Sequence, residues 1–373
     1  MMHLERIDFL RGIAIMMVFA YHLSVEIFGV PYEIKYVGGF FLNPSDFSTD
    51  QLVKNFLPSA FGWAGVELFL VISGFLIHFN YLQKGKFVPA LFFNKRFWRI
   101  WPPYMIALVF FALTVPANNI REFLSHAFLV HNLNESDFFS INPSFWSLAL
   151  EMQLYAIYPL FLLFRKKFGV KKTVVGIFLL QMALTTTGAL LHITSARYQS
   201  FVLNYWIVWV MGAYLAECFF HGKRLVPLTF NQLLLVLACV IGLRFTAVYL
   251  HFSFLFFSIF FVLLLDWILH TEHTTLLSGK AYKFVISIGL FSYSIYLFHQ
   301  PHLGWIIERL TFGAHPAYTA VAAVLAFLFF YCLSYVTYKL IELPSIKFGT
   351  QFYKKVFQKK VATSAGVSLK QSV

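Results

Sequence analysis

The sequence predicts an all-α integral membrane protein of about ten transmembrane helices, with both termini on the cytoplasmic side. Three observations point there. Of 373 residues, 59% are hydrophobic and 12% charged, about half the charge of a soluble domain, and the mean hydropathy is +0.71. The apolar residues gather in runs near the ~20 residues that cross a bilayer. The 29 Lys and Arg are shared unevenly between the segments joining those runs, as retention of basic loops in the cytoplasm produces. Such a composition argues against a soluble globule, a disordered chain and a nucleic-acid-binding module. The bilayer is the expected partner, and nucleic acid is not.

The expected spans lie at about 8–28, 62–82, 99–118, 146–164, 172–191, 200–220, 230–249, 252–270, 284–308 and 318–341. The first contains Arg11 and is followed by no small-residue cleavage site, so it reads as a retained signal anchor. In the second, Gly62, Gly65 and Gly74 suit close helix packing. Arg244 interrupts the seventh, and the turn before the eighth is very short, so these two are the weakest. No internal repeat or broken mid-membrane helix is evident. With the N-terminus inside, 23 of the 29 basic residues fall in cytoplasmic segments. Two outer segments, 29–61 and 119–145, are long enough to cap a site. Residues 1–345 form the membrane domain and 346–373 a basic, mobile cytoplasmic tail, too short for a second domain. Cys218, Cys239 and Cys332 all sit in apolar stretches, which is neither a disulfide framework nor a metal pattern. No metal-ligand spacing, phosphate-cradling glycine loop or nucleophile elbow appears.

Polar residues at membrane depth need a reason, because a charge at the bilayer centre costs about 2.5–3.5 kcal/mol on insertion. Counting helix rise at about 1.5 Å per residue places His22, Glu67, Glu151 and His299 at one level, in the outer part of four different spans. Arg11 lies eleven residues before His22, within about 20° of the same direction and about 16 Å lower. Asp8, three residues before Arg11, can pair with it. At the inner mouth of the third span, Arg96 and Arg99 point to one side, and their guanidinium forks suit phosphate or carboxylate; positive-inside anchoring explains the same run equally well. Ser147, Glu151 and Tyr155 form one polar stripe, and Ser292, Tyr296 and His299 another. His126, His131, His251, His270, His273 and His315 read as surface residues of loops and helix ends. Asp266 and Glu217 read as snorkelling near inner ends, and Asn134-Glu135-Ser136 is a formal glycosylation sequon.

Five segments in order resemble the acyltransferase family 3 membrane proteins, which O-acylate carbohydrates of bacterial envelopes. They are Arg6-Ile7-Asp8-Phe9-Leu10-Arg11-Gly12 with Tyr21-His22, Gly65-Val66-Glu67-Leu68-Phe69, Arg96-Phe97-Trp98-Arg99, Trp146-Ser147-Leu148-Ala149-Leu150-Glu151 and Glu342-Leu343-Pro344. Glu67 stands where Asp is frequent in the family. The additional extracytoplasmic hydrolase-like domain of some members is not expected in a chain of this length.

The resemblance implies an enzyme of the bacterial inner membrane that passes an acyl group, acetyl by default, from cytoplasmic acyl-CoA to a glycan hydroxyl at the outer face, without a metal. Lipopolysaccharide O-antigen, an exopolysaccharide or another glycan remain open as acceptor, and the oligomeric state is left open. Arg96 and Arg99 would hold the donor's phosphates, and Arg11 would stand further along the channel. His22 would be the general base, with a reference pKa near 6.5 that suits the task. Glu151 or Glu67 would orient its ring, while Tyr296 or Ser147 would stabilise the oxyanion. Asp8, Glu67 and His299 complete the substrate-side cluster. Direct transfer is preferred to an acyl-enzyme on Ser73. The rival reading is a proton-coupled transporter, since buried His and Glu also relay protons.

Overall fold

The computed structural model describes residues 2–29, 57–115, 119–193, 195–246, 248–271, 278–311 and 316–358. His273, His315 and most of the capping segment 29–61 lie outside them. Proline and glycine set many of the helix limits. Helix α1 is Met2–Phe28, and after a 3-10 turn at Pro58–Ala64, α2 is Gly65–Lys84. It ends on Gly85, whose φ of +67° suits a residue without Cβ and whose amide returns to the Tyr81 carbonyl. Pro89 then opens α3, Pro89–Thr114, at the first turn, where its missing N–H costs nothing. Asn119 caps α4, Ile120–Ala127, by accepting the Glu122 amide. A proline-led turn at Pro143–Phe145 runs into α5, Trp146–Phe168; α6 is Val170–Leu190 and α7 is Val202–Phe220. A Thr229–Gln232 capping box starts α8, Phe230–Gly242. There follow α9, Val248–His270; α10, Gly279–Leu290; α11, Ser292–Phe298; α12, Leu303–Thr311; α13, Pro316–Thr337; and α14, Leu343–Tyr353.

Among the described residues, eight helices are long and apolar enough to cross a membrane, and the bent pair α10–α11 makes a ninth if it is one span. The all-helical expectation holds, but the seventh expected span does not: Phe230–Phe245 is a short apolar helix. Arg244 ends it, buried with its guanidinium over the rings of Phe61 and Tyr249. The ninth span, expected to be continuous, breaks by 62° at Phe291. The third begins ten residues earlier than expected, so Arg96 and Arg99 lie inside a helix and not at its start. Beyond Lys347, helix continues to Tyr353 and packs on α3, where Asn94 donates to the Gly349 carbonyl and the Trp98 ring meets Phe348 at 4.6 Å.

Helix directions give the bundle two ends. The basic end gathers the start of α1, the end of α2, the start of α3 and the ends of α5, α7 and α9. Ties between those helices confirm it: Arg6 donates to the Ile268 and Leu269 carbonyls at 2.9 and 3.2 Å. The opposite, far end holds the end of α1, helix α4 and the start of α7. Glycines let backbones meet at two crossings. A Cβ on Gly212 of α7 would stand 3.0 Å from the Phe75 amide nitrogen of α2 and closer still to the Val71 carbonyl. Gly12 and Gly289 make the same allowance where α1 crosses α10.

Two carboxylates expected to snorkel, Asp266 and Glu217, and two histidines expected at the surface, His126 and His131, are instead buried. Asp266 accepts the Leu225 and Val226 amides at 3.1 and 3.2 Å, and Glu217 bonds His78 and Arg165. Turn amides and a neighbouring cation therefore draw both carboxylates inward. His126 and His131 stack with ring centroids 3.8 Å apart and planes 6° apart, both fully buried. Arg121 pairs with Asp137 at 2.6 Å beside them, folding the 119–145 segment over them.

Two outcomes follow. Gly212→Val forces apart α2 and α7; overpacking of this kind costs about 1–3 kcal/mol, so the detergent-solubilised protein is expected to melt several degrees lower. Burial pushes the His126 and His131 imidazoles below their ordinary value, His131 the further. The unfolded chain, titrating near 6.5, therefore binds more protons as the pH falls. Stability is intact above that value and declines below it. The melting temperature should drop between about pH 7 and about pH 5, and the double variant His126→Phe with His131→Phe, which keeps the stacked rings, should flatten that drop.

Candidate active site

Eight of the polar residues singled out by helical spacing line one cavity of about 820 Å³: Arg11, Arg96, Arg99, Ser147, Glu151, Tyr155, Ser292 and Tyr296. Five helices supply its walls, α1, α2, α3, α5 and α11. The break at Phe291 matters here, because it turns Ser292, Tyr293 and Tyr296 of α11 into the same space. Toward the basic end a second cavity of about 1470 Å³ begins where the first stops. The two share Ile77, Arg96 and Arg99, and the second adds Lys84, Lys86 and Lys95 with the rings of Tyr81, Phe92 and Tyr158. The buried Nε of Arg96 has no hydrogen-bond partner, and its guanidinium lies 5.4 Å from the Tyr155 ring centre.

At the other extreme of the first cavity, Tyr296 donates to the Ser144 carbonyl at 2.8 Å and its hydroxyl meets Ser147 Oγ at 2.6 Å. His22 and His299 lie beyond this pair and do not line the cavity. The His299 ring packs on Tyr296 with centroids 5.6 Å apart, and His299 Nε2 stands 3.0 Å from His22 Nδ1. Partner chemistry settles which nitrogens carry protons. His299 Nδ1 is 2.9 Å from the Tyr296 carbonyl, which can only accept, so that nitrogen is the donor. In the neutral ring Nε2 then accepts, and His22 Nδ1 donates to it. The remaining nitrogen of His22, Nε2, keeps its lone pair.

The expected carboxylate partner for His22 is therefore replaced by an imidazole. Glu151 accepts the Tyr155 hydroxyl one turn along its own helix, and that hydroxyl also meets Ser73 at 3.0 Å. Glu67 faces away, toward α7, and accepts from Tyr205 at 3.2 Å. Asp8 pairs with Arg11 at 3.3 Å as its spacing predicts. The level of four ionisable groups thus divides into an imidazole pair and two carboxylates with separate tyrosine partners.

Three further groups escaped the spacing argument. His78, fully buried on α2, bonds Glu217 at 2.8 Å and the Tyr158 hydroxyl at 3.1 Å, and Tyr158 lines the basic-end cavity. Glu342, buried in the π-helical turn Tyr338–Glu342, accepts Ser294 at 2.9 Å. Tyr293 donates to the Ile100 carbonyl at 2.7 Å, tying α11 to α3 at the cavity wall. Counting residues from the Lys84 end would have placed His78 at membrane depth, as it did Glu67.

The profile described as "Acyltransferase domain" matches residues 4–339. "O-acetyltransferase OatA" of Staphylococcus aureus is 25% identical over 339 aligned positions, covering 80% of this chain and 55% of that protein. "Peptidoglycan O-acetyltransferase OatA" of Listeria monocytogenes is 25% identical over 397 positions, covering 96% of this chain and 58% of that protein. The chain therefore spans little more than half the length of these curated relatives. No solved structure matches it significantly. With the profile running through all five helices that wall the cavity, the chain belongs to the acyltransferase family 3 of membrane proteins.

Proposed function

We propose that the protein transfers an acyl group, acetyl in the first instance, from acyl-CoA at the basic end to a carbohydrate hydroxyl arriving from the far end, with His22 as general base. The basic end is then cytoplasmic, with both termini there, by the bias of its Lys and Arg, and the membrane is the bacterial inner membrane. The observation that carries the reading is that Arg96 and Arg99 border both cavities. Donor phosphates held by those forks leave the thioester arm only one way to run, past Arg11 and Glu151 toward Ser147 and Tyr296.

Chemically, the acceptor oxygen attacks the thioester carbon. The C–O bond forms, the hydroxyl proton passes to His22 Nε2, the C–S bond breaks, and the same proton goes to the leaving thiolate. Ser147 or Tyr296 steadies the oxyanion. His299 positions the base by accepting its Nδ1 proton in hydrogen bond, while Glu151 acts through Tyr155 to place the Arg96 cation. Because Tyr296 stands between the cavity and the imidazole pair, donor and acceptor meet at that ring. The transporter reading gains a broken helix, but the break serves to bring Ser292, Tyr293 and Tyr296 into the cavity. The relatives' names make a peptidoglycan glycan the first acceptor to try.

The test is glycan-dependent release of free thiol from acetyl-CoA by the purified full chain. His22→Ala should lower turnover by about 10²–10⁴-fold, the usual contribution of a general base; full activity in that variant would refute the assignment. Arg96→Ala and Arg99→Ala should raise the KM for the donor more than they lower kcat.

A further inference from the structure

We infer that a separate cavity at the far end, on the opposite side of α2 from the first, is a binding site for a neutral carbohydrate chain. This rests on the acyl-transfer reading for its purpose, since the chain held there would be the acceptor. The cavity, of about 330 Å³, is walled by α6, α7, α9, the end of α1 and the turn that leads into α2, a size at the lower end of the usual range for small-molecule sites. Among the described residues its lining holds no Lys, Arg, Asp or Glu. His251 is its one described lining residue that can carry positive charge, against five Lys and Arg in the basic-end cavity. Instead the aromatic rings of Tyr21, Trp63, Tyr198, Tyr205 and Phe254 stand among hydroxyl and amide side chains. A pyranose ring presents the matching pair of surfaces, C–H faces that lie on aromatic rings and neutral hydroxyls that bond amides and hydroxyls.

Two details say the cavity is built and unfilled by the protein's own groups. Asn204 is 2% exposed and its side-chain oxygen is buried without a hydrogen-bond partner, although its nitrogen donates to the Tyr198 carbonyl at 2.7 Å. Buried acceptors are nearly always satisfied, and a sugar hydroxyl or acetamido N–H supplies what this one lacks. The walls are also held in place. Tyr198 is drawn against α6, donating to the Leu184 carbonyl at 2.7 Å, where Gly188 leaves room that any Cβ would take from its ring. Tyr205 is fixed by its bond to Glu67, which gives that carboxylate a role at this second site.

The cavity also stands beside the base. Tyr21 lines it, and its ring centre is 5.2 Å from that of the adjacent His22. A chain seated against Tyr21 therefore presents a neighbouring hydroxyl toward His22, from the side opposite the donor.

The experiment is calorimetric titration of the detergent-solubilised full chain with an N-acetylglucosamine tetrasaccharide, without any acyl-CoA. Saturable binding is expected, weakened about tenfold or more by Asn204→Ala, weakened likewise by Ser200→Trp, which fills the space, and retained in His22→Ala. Gln199→Ala, at the exposed rim, gives a variant whose fold is secure if Asn204→Ala is unstable, and it should weaken binding in the same direction. Absence of saturable binding overturns the inference, as does binding that the cavity variants leave untouched at unchanged melting temperature. Binding without thiol release would keep the site and refute the acyl-transfer reading; thiol release without binding here would do the reverse.

Discussion

Hydrocarbon offers no water to a buried polar group, so a buried polar side chain in this bundle gains by pairing inside the protein, and those pairings fix how the helices register. Ridges of Leu and Phe pack in many offsets. The Arg6 guanidinium on the Ile268 and Leu269 carbonyls, Tyr205 on Glu67, Ser294 on Glu342 and His78 on Glu217 each fit only one. Removing one partner strands the other at about 1–3 kcal/mol, a large share of what holds a helix in place. The same accounting separates structure from site. Where ties are closed, as at Glu217 between His78 and Arg165, the residue is holding the fold; three buried groups that stay open, Arg96 Nε, Ser292 Oγ and Asn204 Oδ1, belong to residues that line the cavities.

Helical period and depth made a good part of the site legible before any coordinates. Arg11, Arg96, Arg99, Ser147, Glu151 and Tyr296 come to one cavity because a rigid helix leaves no freedom in where its i, i+3 and i+4 positions point. What spacing could not supply was the pairing across helices. It placed His22 and His299 at one level but gave His22 a carboxylate, Glu151 or Glu67, when Tyr155 and Tyr205 were nearer claimants on them. Nor could it foresee the α10–α11 break, since no proline marks it and Gly289, two residues before it, also serves the close crossing with α1. Hydropathy failed at the two ends for a different reason. A His or Asp near a helix terminus is ordinarily wet, and only tertiary folding of the 119–145 and 223–229 segments back onto the bundle makes His126, His131 and Asp266 dry.

An imidazole backed by an imidazole differs from one backed by a carboxylate in a way that bears on the chemistry. A carboxylate stabilises the imidazolium that forms, and so lets it persist. His299 offers only a neutral lone pair, already turned toward His22 by the Tyr296 carbonyl. In the proposed reaction the acceptor's proton would rest on an imidazole with no carboxylate beside it, which favours a single concerted transfer to the thiolate over a long-lived charged intermediate. Such a site also has to keep water from the thioester, because a base this close would activate it as well as a sugar. The geometry meets that demand by entering from two directions. In the proposed reaction the donor would reach a cavity whose end is closed by Tyr296 and Ser147, with His22 on the other side. On that reading an acceptor positioned from the far end would bring the hydroxyl to that partition, so its arrival, and not the donor's, would decide when transfer begins.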